Sequence, residues 1–124
     1  MSRFKGLYLE QGNKKFTFGY VELNFQKTLG KVDWEVTIMV DEIWGVYKVW
    51  NKNQSFALKA EWTHKICGKT TLESISGDFI ILDIDPNKKP YESGNGKGYT
   101  LHGFSPNLVV SGIPNNERVK VQFD

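Results

Sequence analysis

The fold is decided by a stretch in the first half of the chain, residues 33–40, with the sequence Asp33-Trp34-Glu35-Val36-Thr37-Ile38-Met39-Val40. The even-numbered positions are all apolar, and the odd-numbered positions are charged or polar except for Met39. A period of two is typical of a β-strand with one buried side and one side facing water. Residues 56–63 repeat the alternation, so the two stretches together predict an antiparallel β protein.

The composition of the whole chain favours the same class. Only two of the 124 residues are alanine, whereas 42 are Val, Ile, Thr, Phe, Tyr or Trp, the residues enriched in strands. Glycine, asparagine and proline fall mostly between the apolar stretches, where tight turns need them. Because no stretch has an apolar period of 3.6 over three turns, any helix is expected to be a single turn, with residues 26–31 as the candidate.

We predict one domain over residues 1–124, an all-β antiparallel sandwich or closed barrel of about eight to ten short strands with little or no helix. The apolar positions change parity next to Gly19, which predicts a β-bulge or bend there. Gly77 is expected to separate two strands, and residues 85–98 are predicted to form a long surface loop. The predicted strands are 3–10, 15–26, 33–40, 43–50, 56–63, 70–76, 78–84, 99–104, 108–113 and 118–123.

The alternation also predicts which side chains are buried. The predicted core residues on the best-defined strands are Trp34, Val36, Ile38, Phe56, Leu58, Trp62, Val119, Val121 and Phe123. Their solvent-facing neighbours are predicted to be Glu35, Lys59, Glu61, Lys120 and Gln122. Reversal of these two sets would place the strands one residue out of register.

No set of residues in the sequence points to catalysis, and we predict neither a metal site nor a cofactor. His64, His102 and the single cysteine, Cys67, are too few for a closed zinc site. Asp83 and Asp85 have the spacing that begins a calcium loop, but the glycine and glutamate that complete such a loop are missing. An enzyme that uses His64, His102 or Asp83 is therefore the least favoured hypothesis.

Charge and hydropathy exclude several kinds of partner. The net charge of +2 at pH 7 is spread evenly, without a basic arm or an acidic tail, so we expect no nucleic-acid partner. The longest apolar run, residues 79–82, is too short to cross a membrane, and no apolar signal segment follows the first residues. These features predict a cytoplasmic protein without membrane association.

Aromatic residues are the most informative excess, at 17 of 124. Trp44, Tyr47 and Trp50 lie in a stretch that is apolar on both parities, so at least one of these rings is expected to be exposed as an anchor for a partner. The acidic residues near them in sequence are expected to form a rim that suits a basic protein surface: Asp33, Glu35, Asp41 and Glu42.

The predicted function is that of a non-catalytic protein that binds another protein, such as an inhibitor, an immunity factor or another accessory factor that blocks a larger partner. The alternative is a β-barrel that binds a small ligand or a carbohydrate, with inward Trp and Tyr side chains lining a cavity. The predicted binding residues come from the aromatic stretch and the long loop: Trp44, Tyr47, Trp50, Asp41, Glu42, Lys88, Lys89, Tyr91 and Lys97.

Overall fold

The computed structural model describes residues 2–19, 21–27, 30–51, 54–87, 98–112 and 118–123. For residues 2–5, 44, 66, 87 and 118–123 it describes the backbone alone. The described chain is an antiparallel β fold with one short helix, as the alternation predicts. In chain order the elements are β1 (Ser2–Gln11), β2 (Lys14–Thr17), β3 (Val21–Lys27), β4 (Trp34–Val40), α1 (Trp44–Val49), β5 (Ser55–Ile66), β6 (Lys69–Asn87), β7 (Gly98–Ser105), β8 (Val109–Ser111) and β9 (Arg118–Phe123).

The nine strands form one sheet in the order β2-β1-β5-β6-β7-β4-β3-β9, with β8 paired to β6. The sheet curls so that β9 approaches β1, but these two strands have no hydrogen-bonded pairing in the part of the chain described. The architecture is therefore barrel-like but not closed.

The core lies inside the curl and is filled by the alternate, inward-facing residues of the strands. Its largest fully buried side chains are Trp62, Phe25, Phe56, Phe79, Leu9, Leu23, Ile38, Leu58, Ile75, Ile81 and Leu101. Full burial of one such side chain stabilises the fold by about 1.5–3 kcal/mol. The period of two in the sequence is thus the pattern that fills the interior.

The predicted burial of the two best-defined strands is largely confirmed. The residues predicted to be buried and found so are Val36, Ile38, Phe56, Leu58 and Trp62, and Glu35 and Lys59 are exposed as predicted. Trp34 is only partly buried because it begins β4, where its ring lies 5.7 Å from that of Phe25. Glu61 is partly buried rather than exposed. The side chains of Val119, Lys120, Val121, Gln122 and Phe123 lie outside the described residues.

The strand predicted at residues 43–50 is wrong, because this stretch forms helix α1. The backbone N–H of Tyr47 donates a hydrogen bond to the carbonyl of Ile43 at 2.7 Å. Ile43 and Val46, three positions apart, are both buried, and this spacing places them on one face of a helix. One helical turn buries these two apolar residues as well as a strand would. The high β propensity of the stretch therefore did not decide its secondary structure. Residues 26 and 27, part of the predicted helix, belong instead to β3.

The break predicted at Gly19 is confirmed as a bend, and the stretch 15–26 is two separate strands. β2 pairs with β1, whereas β3 pairs with β4 and β9. The change of parity therefore marks the point where the chain passes from β2, at one edge of the sheet, to β3, which lies next to the strand at the other edge.

The separation predicted at Gly77 is wrong, since β6 continues through it for 19 residues. The interruption lies on the other side of the pairing, between β7 and β8, which both pair with β6. There the Asn107 side chain accepts a hydrogen bond from the Asp78 backbone N–H and donates one to the Asp78 carboxylate, both at 2.8 Å. A Cβ on Gly77 would lie 3.0 Å from the Leu108 backbone, so the glycine permits this close approach.

Both ends of the stretch 85–98, predicted to be a surface loop, are strand instead. Asp85, Pro86 and Asn87 extend β6, and Gly98 begins β7. The remaining residues of the predicted loop, 88–97, lie outside the described residues.

Candidate functional site

The candidate site is on the outer face of the sheet, where β4, β7 and the second half of β6 run side by side. Its central feature is a β-bulge in β6. Ile81 pairs with Gly103 and Asp83 pairs with His102, so Leu82 is an extra residue with no partner in β7. The side chain of Leu82 is 51% exposed. Bulges bend a strand and redirect side chains, and they are over-represented beside functional sites.

Gly103 makes the bulge possible. A Cβ at this position would lie 1.9 Å from the carbonyl oxygen of Ile80 and 2.8 Å from the ring of Phe79. The close approach of β7 to the β6 backbone is therefore open only to glycine.

Four exposed carboxylates share the outer face with Leu82, and we call these residues together the acidic surface: Asp33, Glu35, Asp83 and Asp85. Asp33 and Glu35 line a shallow depression of about 400 Å³ together with Leu82 and His102, and Lys31 is the basic residue in its lining. Asp83 directly follows Leu82 in β6, and the Asp85 carboxylate lies 3.1 Å from His102. The sheet thus presents an apolar side chain with carboxylates on both sides of β7.

His102 lies in the middle of the acidic surface. Its Nε2 is 3.1 Å from the Asp85 carboxylate, and it pairs in register with both Asp83 and Thr37. Both members of the ion pair are about half exposed, which limits the pair's contribution to stability. The arrangement holds the side chain of Asp85 against β7 and fixes the position of one carboxylate at the surface.

The predicted aromatic anchors lie on α1 and at the residue that follows it, and the structure brings two of them together. The Tyr47 ring is 56% exposed, and its centroid is 6.2 Å from that of Trp50. The Trp50 indole N–H donates a hydrogen bond to the carbonyl of Ile81 at 2.9 Å. Trp50 therefore contacts the strand that carries the bulge. The side chain of Trp44 lies outside the described residues.

The acidic rim predicted around the aromatic rings is wrong as one cluster, because β4 separates its members. Asp33 and Glu35 lie at the start of β4, and Asp41 and Glu42 follow its end. Eight residues of strand at 3.3 Å each place Asp33 about 26 Å from Asp41. Asp41 is partly buried and Glu42 is exposed. Asp33 and Glu35 instead share the outer face with Asp83 and Asp85, and β7 lies between the two pairs.

The predicted binding residues of the long loop cannot be placed. Lys88, Lys89, Tyr91 and Lys97 lie outside the described residues. β6 ends at Asn87 and β7 begins at Gly98, and β6 carries Asp83 and Asp85 of the acidic surface.

The remaining candidate residues do not converge on a second site. His64 is in β5, and Cys67 is an exposed residue in the turn between β5 and β6. Among the residues that the structure describes, no three His, Cys, Asp or Glu side chains are placed to hold a metal ion. Within the same residues, no helix has the length and apolar character needed to cross a membrane.

The sequence contained a signal for the bulge that sequence reasoning missed. Phe79 and Ile81 are inward at odd positions, but the next residue packed on the core, Ile84, is at an even position. Such a change of parity within one strand indicates an inserted residue. Leu82 obscured the signal because an apolar residue at an even position looks like the start of the new inward set.

Comparison with known proteins identifies no relative of this chain. No protein-family model, no curated protein and no solved structure matches the chain.

Proposed function

We propose that this chain is a non-catalytic binding protein that contacts a basic surface of a larger protein partner through the acidic surface. The observation that carries the proposal is the position of Leu82. Leu82 is the extra residue of the bulge, its side chain is half exposed, and it lines a depression with the carboxylates of Asp33 and Glu35 and precedes Asp83 in the strand. Interfaces commonly combine a central apolar anchor with a polar rim.

The charges favour a particular class of partner. The carboxylates of Asp33, Glu35, Asp83 and Asp85 attract a surface rich in Lys and Arg and repel a phosphate backbone. Across an interface, complementary charge speeds association and orients the partner, whereas the desolvated centre supplies most of the affinity. A protein is therefore favoured over nucleic acid, and Leu82 is the expected centre of the contact.

The alternative of a barrel that binds a small ligand has less support. The interior of the curl is occupied by large side chains, among them Trp62, Phe25, Phe56 and Phe79, all with no exposed surface. The depression beside Leu82 is shallow and lies on the outside of the sheet. A shallow outer surface suits contact with a macromolecule better than enclosure of a small ligand.

Affinity capture with a matched pair of variants tests the proposal. Leu82→Asp changes the acidic surface, and Leu72→Asp changes an equally exposed leucine on β6, since these side chains are 51% and 53% exposed. The full chain and both variants are immobilised, and the proteins retained from the source cells are quantified and then measured as purified partners. We expect a basic partner that Leu82→Asp weakens about 30-fold or more, which corresponds to about 2 kcal/mol. Leu72→Asp is expected to leave the affinity unchanged.

Ionic strength provides an independent arm of the same experiment. Affinity for a basic partner falls as salt screens the carboxylates. The combined replacement Glu35→Gln, Asp83→Asn and Asp85→Asn is expected to reduce both the affinity and its dependence on salt. Equal binding by all variants, or equal losses from Leu82→Asp and Leu72→Asp, would contradict the proposal.

A further inference from the structure

Trp50 is the residue that links helix α1 to the bulge. β5 pairs with β6 as far as Ser55 and Ile80, and the next carbonyl along β6 is that of Ile81. This carbonyl accepts the indole N–H of Trp50 at 2.9 Å. The indole therefore contacts β6 at the first residue beyond its pairing with β5, immediately before the extra residue Leu82.

Trp50 is held on its other side as well. It directly follows α1, is partly buried, packs against the core and lies 6.2 Å from the ring of Tyr47. Val46, one turn earlier in the helix, is buried in the core. A side chain anchored in this way has few alternative positions, so its N–H is a well-placed donor for the β6 backbone.

We propose that Trp50 is a positioning residue for the acidic surface: its hydrogen bond to Ile81 holds the bulge in the form that presents Leu82 to a partner. The inference rests on the proposed function for what Leu82 contacts, but the conformational claim concerns the free protein. Loss of the hydrogen bond leaves the Ile81 carbonyl without its indole donor and lets residues 81–83 open more often.

The test is amide hydrogen exchange of the free chain, in wild type, Trp50→Phe and Trp62→Phe. Trp50→Phe retains an aromatic ring and removes the indole N–H. Trp62→Phe is the matched control, because it also removes an indole donor, whose hydrogen bond to Glu73 is 2.7 Å long. Glu73 is nine residues from Leu82, about 30 Å along a strand. Exchange is followed in a peptide covering residues 80–84, and the melting temperature is recorded for each protein.

We expect Trp50→Phe to accelerate exchange in residues 80–84 about five- to tenfold at a temperature where the rest of the sheet is unchanged. Trp62→Phe should lower the melting temperature more, because Trp62 is fully buried, yet leave residues 80–84 close to wild type under native conditions. Unchanged exchange in Trp50→Phe, or the same acceleration in Trp62→Phe, would overturn the inference.

A measurement on the unmodified chain keeps the test decisive if either variant folds poorly. If the hydrogen bond and the bulge open together, the Trp50 indole N–H and the slowest amide of residues 81–83 exchange with the same dependence on low concentrations of denaturant. Different dependences would separate the two and contradict the inference. Because the exchange measurements need no partner, their result does not depend on the outcome of the binding experiment with Leu82→Asp.

Discussion

The two halves of β6 each carry a half-exposed leucine, and the structure presents the two side chains in different ways. Residues 69–80 pair with β5 in unbroken register, and Leu72 faces outward there by simple alternation. In the second half, Leu82 is the extra residue of the bulge, and the residue after it, Asp83, is exposed as well, while Ile84 packs on the core. The bulge depends on Gly103 and receives a hydrogen bond from Trp50. The first half is therefore a regular ribbon, whereas the second half has a specialised backbone that exposes two consecutive side chains.

The difference indicates which leucine belongs to a site. Scattered exposed apolar residues are normal on protein surfaces and need no explanation. A bulge that costs ladder pairing and requires a glycine in the next strand is a specific arrangement, and here it coincides with the acidic surface. The comparison therefore favours the second half of β6 as the place of the proposed binding surface.

The largest effect is expected from Gly103→Ala, which attacks the bulge itself. The added methyl group would overlap the Ile80 carbonyl oxygen, at 1.9 Å, so the strands must separate. We expect a loss of at least about 3 kcal/mol in the free energy of unfolding, measured with urea. Gly6→Ala is the control, because a Cβ there meets no atom within 4 Å. A Gly103→Ala protein as stable as wild type would show that the fold does not need the close approach of β7 to the β6 backbone.

A smaller effect is expected at the junction between the two halves. Asn107→Ala removes both hydrogen bonds to Asp78, which join the gap between β7 and β8 to β6. The side chain is exposed, so we expect a loss of about 1–2 kcal/mol rather than unfolding. Thermal and urea denaturation measure the change. Ser76→Ala, at an exposed position on β6 itself, serves as the control. If Asn107→Ala left the free energy of unfolding unchanged, these hydrogen bonds would not contribute to the junction between the two halves of β6.

Deletion of Leu82 distinguishes the needs of the fold from those of the site. Without the extra residue, Ile81 and Asp83 become consecutive and retain their partners Gly103 and His102. We expect the chain to fold, with a stability within about 1 kcal/mol of wild type, and to lose binding to its partner. Circular dichroism and denaturation check the first outcome. Retained binding would show that the bulge has no part in recognition.

The smallest effect is expected from Asp85→Asn, which weakens the contact with His102. Both side chains are about half exposed, and the imidazole is charged only when protonated. We therefore expect a change of about 0.5 kcal/mol or less in the free energy of unfolding. Urea denaturation at low and high salt measures it. A loss above 1 kcal/mol would show that this ion pair supports the fold of the second half of β6.

The sequence predicts the regular parts of the molecule better than the site. Alternation in residues 33–40 and 56–63 gives the strand type and the inward face of β4 and β5, because a local period reports burial directly. It does not give the order of the strands, which depends on contacts between distant residues. The acidic surface could not be assembled from sequence for this reason, since Glu35 and Asp83 are separated by 48 positions and share one face only because both of their strands pair with β7.

Helix α1 shows a second limit. Its residues Val46 and Val49 have high β propensity, and their apolar spacing covers less than two turns. So short a stretch fits a strand or a helix equally well, and packing on the core decides between them. The position of Trp50 against Ile81 follows from that packing and has no local signature.

The central claim is that a partner binds the second half of β6 and not the first. It is tested most directly by hydrogen exchange of the full chain with and without its captured partner, comparing peptides over residues 80–85 and 101–104 with peptides over residues 69–76. We predict slower exchange in the first two peptides, which contain Leu82, Asp83, His102 and Phe104, and no change in the third. Protection confined to residues 69–76, or protection of neither half, would contradict the account.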